Sequence, residues 1–110
     1  MIEWTQPTPG VAHFTITGRL DAHEAPKLRE SFERAREAGA SRFEVAMDRV
    51  DFMDSSGLAA VVSGLKASRL EGGELIIVSP SPMVRKVLEL TLLDQVIPIA
   101  NAASSGEGSS

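Results

Sequence analysis

The chain has 110 residues, 43% of them hydrophobic and 24% charged, with a formal net charge of −4 and no cysteine. This length and composition predict a single domain with one core, and the lack of cysteine excludes disulfides, thiolate catalysis and cysteine-based metal sites. The acidic balance, without a cluster of Lys and Arg, argues against direct nucleic-acid binding, and no apolar run approaches the ~18 residues that span a bilayer.

Two strands are predicted near the N-terminus. The first covers residues 2–5 and ends at residues 6–10, because the two prolines there lack the N–H that a sheet ladder requires. The second covers residues 11–17, where apolar and polar side chains alternate. Because the connection is short, these strands should form an antiparallel hairpin.

A helix is predicted over residues 22–38. Asp21 is well placed to cap its first turn, and Gly39 to end it. A third strand follows over residues 43–48, where alternation returns.

Asp54 precedes the second predicted helix, which Gly72 and Gly73 should end. A continuous apolar run over residues 75–78 then predicts a strand buried on both faces. The expected buried stripe of the second helix consists of Leu58, Val61, Val62 and Leu65.

Ser81 should cap a third helix that has Pro82 in its first position. Residues 96–99 predict a short edge strand, and residues 101–110 a flexible tail rich in serine and glycine. Alternating strands and helices favour parallel pairing. We therefore expect one α/β domain over residues 1–100, with a mixed sheet of four to five strands and about three main helices.

Catalytic signatures are absent from the sequence. The two histidines, His13 and His23, lack metal-site spacing, and no phosphate-binding glycine motif occurs. Ser55 and Ser56 lack the glycine-flanked elbow of a serine hydrolase. We expect no catalytic residue, metal or cofactor. Since the N-terminus resembles no secretory signal, we expect a cytoplasmic protein that does not bind membranes.

The segment VDFMDSSGL, from Val50 to Leu58, admits two interpretations. Asp54 or Ser55 could simply cap the helix that follows, which would stabilise it by ~1 kcal/mol. A helical glycine at position 57 fits capping poorly, since glycine weakens a helix by up to ~1 kcal/mol. On the second interpretation, Gly57 leaves room for another protein's backbone to approach the Ser56 hydroxyl. A phosphate on Ser56 would also be tolerated, because a helix N-terminus favours an anion.

FMDSSGL, together with GRLDAHEAPKLRESF before it and GGELIIVSPSPMVRKVLELTLLDQVIPI after it, resembles the STAS-domain anti-sigma factor antagonists. The likeness covers residues 2–99. It implies a STAS-like fold, and it implies that the second serine of D-S-S-G, here Ser56, is a phosphoacceptor. Asp54, Ser55 and Gly57 match the rest of the motif, and Asp21 matches an acidic residue near the partner surface.

The resemblance also implies partners. In the family, the unphosphorylated antagonist binds an anti-sigma factor that is a serine kinase, and the sigma factor is freed. A metal-dependent serine phosphatase reverses the phosphorylation. The sequence leaves two rivals open: a STAS module that acts as a constitutive scaffold in a signalling or transporter complex, and a small hydrolase that uses Ser56.

Two residues depart from the family pattern. Arg19 stands where an acidic residue is frequent, so the charge match with a given kinase is open. Leu92 stands where a glycine is common in a T-G-L segment, so we expect a different end to the last helix.

Overall fold

The computed structural model describes residues 1–101 as a five-stranded sheet with helices on one face. The sheet order is β1-β2-β3-β4-β5, with β1 and β2 antiparallel and every other pair parallel. The strands are β1 Ile2–Thr8, β2 Val11–Leu20, β3 Arg42–Met53, β4 Glu74–Val78 and β5 Ile99–Ala100; the helices are α1 Ala25–Glu37, α2 Ser55–Leu70 and α3 Pro82–Leu90, followed by a 3-10 turn at Leu93–Gln95. The predicted α/β domain with a mixed sheet is confirmed.

Aromatic packing joins the hairpin to the helical layer. The Phe14 ring of β2 lies 4.8 Å from that of Phe32 in α1 and 5.4 Å from that of Phe43 in β3, both in edge-to-face geometry. All three side chains are at most 2% exposed. This cluster fixes α1 against the central strands and so fixes where the first turn of α1 lies.

The first three strands run further than the sequence predicted. β1 continues through Pro7 to Thr8, because an edge strand needs no N–H from proline on its open side, and its register shifts between Thr5 and Thr8. β3 continues to Met53 instead of ending at residue 48. A register irregularity against β2 breaks the two-residue alternation there, so periodicity could not reveal the second half of β3.

The start of the first helix and the start of the last strand also differ from prediction. α1 begins at Ala25, because residues 22–24 form a turn, and β5 begins at Ile99 after the exposed Pro98. The start of α3 is as predicted: Ser81 Oγ accepts from the Val84 N–H at 3.3 Å and donates to the Val50 carbonyl at 2.8 Å. Apart from Asn101, the predicted tail over residues 101–110 lies outside the described residues.

Leu92 adopts the backbone conformation that glycine favours. Its φ is 62° and its side chain is 61% exposed, so a left-handed residue that costs ~1–2 kcal/mol gains little burial in return. We expect Leu92→Gly to raise the free energy of unfolding by about 0.5–1 kcal/mol, after the extra chain entropy of glycine is subtracted. Urea denaturation would measure this difference.

Leu90→Gly is the matched control, since Leu90 is 73% exposed but helical. This substitution should destabilise the protein by up to about 1 kcal/mol. Equal destabilisation by both substitutions would show that the left-handed backbone at Leu92 carries no strain.

Candidate functional site

The loops that follow β2 and β3 meet at one edge of the sheet. Leu20 pairs with Met53 in the parallel ladder, and the Asp54 N–H donates to the Leu20 carbonyl at 3.4 Å. Asp21 and Asp54, each the first residue after its strand, therefore lie at the same edge. The sheet topology brings together two carboxylates that are far apart in the sequence.

Asp54 is the N-cap of α2. Its backbone is extended, and its Oδ1 accepts a hydrogen bond from the Gly57 N–H at 3.0 Å. The capping interpretation of Asp54 is therefore confirmed. Ser55 and Ser56 occupy the first helical turn without being needed as caps.

The two serine hydroxyls have no internal role in the described part of the chain. Ser55 is exposed and Ser56 is half-buried, and neither hydroxyl makes a hydrogen bond to any described residue. By contrast, Ser63 and Ser68 further along α2 donate to backbone carbonyls within the helix. The hydroxyl of Ser56 is thus accessible and chemically uncommitted.

Gly57 is buried against the end of β2. A Cβ at this position would lie 2.1 Å from the Leu20 carbonyl oxygen and 2.8 Å from Leu20 Cγ. The interpretation that Gly57 leaves room for another protein's backbone is therefore wrong, since Leu20 already fills that space. The glycine lets α2 begin close to β2, which sets the position of Ser56 next to it.

The buried stripe of α2 differs from the predicted one. Val61 and Leu65 are buried as expected, whereas Leu58 and Val62 are only half-buried. Small residues face the core instead because α2 packs closely; a Cβ on Gly64 would lie 2.4 Å from the Phe32 ring. The buried residues of this helix are Gly57, Ala60, Val61, Gly64, Leu65 and Ser68.

Asp21 organises the turn before α1 rather than the helix itself. Its Oδ1 accepts from the N–H groups of His23 and Glu24, at 3.0 and 3.1 Å, and its Oδ2 accepts from Arg19 Nε at 3.3 Å. The hydrogen bond from the Glu24 N–H is the main cause that lowers the pKa of Asp21, and Arg19 also lowers it. Asp21 is therefore held as a carboxylate whose lone pairs are largely used within the protein.

Arg19 and Phe52 form an exposed pair beside these loops. The Arg19 guanidinium carbon lies 4.0 Å from the centre of the Phe52 ring, and Phe52 is 36% exposed. Sequence reasoning noticed Arg19 only as a departure from the family pattern and missed Phe52. The signal was available, since Phe52 follows Asp51 and lies two residues before Asp54, close to the end of a strand.

A second feature that the sequence analysis missed is the groove between α1 and α2. Arg29 of α1 and Ser55, Ser56 and Ala59 of α2 line it. The spacing of residues 25, 26 and 29 places them along one side of α1, which was the available signal. Sequence alone could not show which helix this side faces.

Within residues 1–101, no group of three or more histidine and acidic side chains could hold a metal ion. The same residues contain no helix that is long and apolar enough to span a membrane. Ser55 and Ser56 directly follow Asp54, whose carboxylate accepts the Gly57 N–H.

Comparisons with known proteins agree with this geometry. Residues 5–105 match the model of the STAS domain family. The anti-sigma-B factor antagonist of Bacillus subtilis is 31% identical over 91 residues, which are 83% of each chain. The anti-sigma-B factor antagonist of Listeria monocytogenes is 29% identical over 93 residues, 84% of this chain and 82% of that protein. The solved structure of the anti-sigma factor antagonist SpoIIAA in its unphosphorylated form superposes with a TM-score of 0.74 at 25% identity, over 91% of this chain and 86% of the other.

Proposed function

Because this chain belongs to the STAS-domain anti-sigma factor antagonist family, we propose that it is a binding protein switched by phosphorylation of Ser56. Its unphosphorylated form binds an anti-sigma factor that is a serine kinase, and the sigma factor is released. Phosphorylation ends this binding, and a metal-dependent serine phosphatase restores it. The partner surface consists of Asp21, Asp54, Ser55 and Ser56, and the buried Gly57 holds the start of α2 against β2 beside them.

The observation that carries this proposal is the free hydroxyl of Ser56 at the start of α2. Asp54 already caps the helix, so Ser56 has no structural duty among the described residues. An added phosphate would lie at the positive end of the helix dipole. The helix dipole would therefore favour the modified form at this position.

The chemistry of the transfer depends on the kinase. Ser56 Oγ attacks the γ-phosphorus of Mg-ATP, the bond to the bridging oxygen breaks, ADP leaves, and the hydroxyl proton passes to a base. The described residues that line the groove beside Ser56 include no carboxylate and no histidine. The kinase must supply the base, so we propose that this protein is a substrate and not an enzyme, and that it acts in the cytoplasm where transcription is regulated.

The test is phosphorylation by the anti-sigma factor kinase of the same organism, followed by mass-spectrometric site mapping. We expect one phosphate, on Ser56, with Ser56→Ala reducing incorporation by at least 100-fold. Ser55→Ala is the matched control and should still be phosphorylated, because Ser55 belongs to the same turn but is not the acceptor.

Phosphorylation of Ser55 instead of Ser56 would contradict the assignment of the acceptor. If the active kinase bound the protein but phosphorylated neither serine, the protein would be a constitutive scaffold rather than a switch.

A further inference from the structure

Arg29 lies in the groove beside Ser56. α1 and α2 start at the same sheet edge, because each follows one strand of the parallel β2–β3 pair. Between their first turns is a groove of about 330 Å³, and Arg29 is the one charged residue among its described lining residues. The remaining lining residues are Ala22, Ala25, Pro26, Ser55, Ser56 and Ala59.

Arg29 has no acidic partner among residues 1–101. The other three basic residues of α1 each pair with a glutamate: Lys27 with Glu24 at 3.2 Å, Arg34 with Glu30 at 2.9 Å and Arg36 with Glu33 at 2.7 Å. Arg29 is therefore the exception in a helix that otherwise neutralises its cations. Its guanidinium keeps its full capacity to bind an anion.

The positive character continues along the interhelical surface. A second groove shares Arg29, Ser55 and Ala59 with the first and extends to Lys66, and none of its described lining residues is acidic. The carboxylates of Asp21 and Asp54 do not line the first groove. Asp54 accepts from the Gly57 N–H, and Asp21 accepts from two backbone N–H groups and Arg19. A dianion on Ser56 would thus meet one uncompensated cation within its own groove.

We propose that Arg29 is the internal partner of the phosphate on Ser56. This inference rests on the proposed function, since it concerns the phosphorylated form of the same site. The planar guanidinium can donate two parallel hydrogen bonds to phosphate oxygens, which an ammonium group cannot do with the same geometry. The phosphate is therefore held in the α1–α2 groove, and phosphorylation changes the shape of the partner surface as well as its charge.

The test uses full-length protein with phosphoserine incorporated at position 56 during synthesis, so that no kinase is needed. Phosphorus NMR would follow the second ionisation of the phosphate, which lies near pH 6 without a partner. We compare two phosphoserine proteins, one with Arg29 and one with Arg29→Gln. The pKa of the phosphate should be about half a unit lower when Arg29 is present, because a nearby cation favours the dianion. Arg29→Lys should recover only part of the difference.

Arg34→Gln is the matched control, because it removes one arginine of the same helix that already pairs with Glu30. It should leave the phosphoserine pKa unchanged. The same phosphate pKa with Arg29 and with Arg29→Gln would overturn the inference. An Arg34→Gln substitution that raised the phosphate pKa as much as Arg29→Gln does would also overturn it, because the effect would then come from net charge in general.

The two proposals fail separately. The phosphate is installed by synthesis, so a lowered pKa that depends on Arg29 would stand even if no kinase modified Ser56. Conversely, phosphorylation of Ser56 by its kinase with no effect of Arg29 on the pKa would keep the proposed function and remove this inference.

Discussion

Replacement of Gly57 by alanine is expected to lower the free energy of unfolding by about 3 kcal/mol, the upper part of the usual range for overpacking. The new methyl group would lie 2.1 Å from the Leu20 carbonyl oxygen, which is backbone and cannot move aside as a side-chain end could. Either α2 or the end of β2 must shift. At a helical glycine with free space around it, replacement by alanine would instead stabilise the protein by up to ~1 kcal/mol. The sign of the change in stability therefore shows whether the contact with Leu20 is tight.

Chemical denaturation of the wild type and the Gly57→Ala variant would measure this difference. Ala59→Ser is the matched control, since it adds one heavy atom to an exposed position of the same helix and should change stability by less than about 0.5 kcal/mol. A Gly57→Ala variant as stable as the wild type would show that α2 can move away from β2 at little cost.

The same substitution has a functional consequence. Because Gly57 sets the distance between α2 and β2, a shift of the helix start would move Ser56 and the groove that contains Arg29. Gly57→Ala should therefore also slow phosphorylation by the kinase under conditions where the variant remains folded. This would explain the glycine of the D-S-S-G segment by internal packing.

Phosphoserine at position 56 is expected to weaken binding to the anti-sigma factor at least tenfold, equivalent to ~1.4 kcal/mol. The phosphate adds nearly two negative charges to the partner surface. Burying these charges at the interface removes their water, which costs binding free energy unless the partner supplies hydrogen bonds or cations in its place. Titration calorimetry with the unmodified and phosphoserine forms would give both affinities.

Two variants distinguish the effect of added charge on binding affinity from the effect of losing the Ser56 hydroxyl. Ser56→Ala should keep binding close to that of the unmodified protein, because the hydroxyl makes no internal hydrogen bond and the alanine adds no charge. Ser56→Asp should weaken binding, although less than phosphoserine does. Equal affinity of all four forms would favour a constitutive scaffold.

Local sequence determined the features that depend on neighbouring residues. Ser81 and either Asp54 or Ser55 were predicted as helix caps. Ser81 and Asp54 each accept a hydrogen bond from the backbone N–H three residues later. Capping is decided by the residues of one turn, so the sequence sufficed at these two positions. For the same reason it placed Ser56 in the first turn of a helix, directly after a strand. At Asp21 the predicted cap was wrong, because residues 22–24 form a turn and α1 begins only at Ala25.

Only the tertiary structure decided the features that join distant segments. Gly57 is required in α2 because the Leu20 carbonyl of β2 lies against it. The groove beside Ser56 is positively charged because Arg29 of α1 lines it. The second half of β3 likewise depends on its register against β2. Periodicity reports which face of an element is apolar, but it does not say which element will pack there or how closely; that depends on the packing of the whole domain, which no local pattern contains.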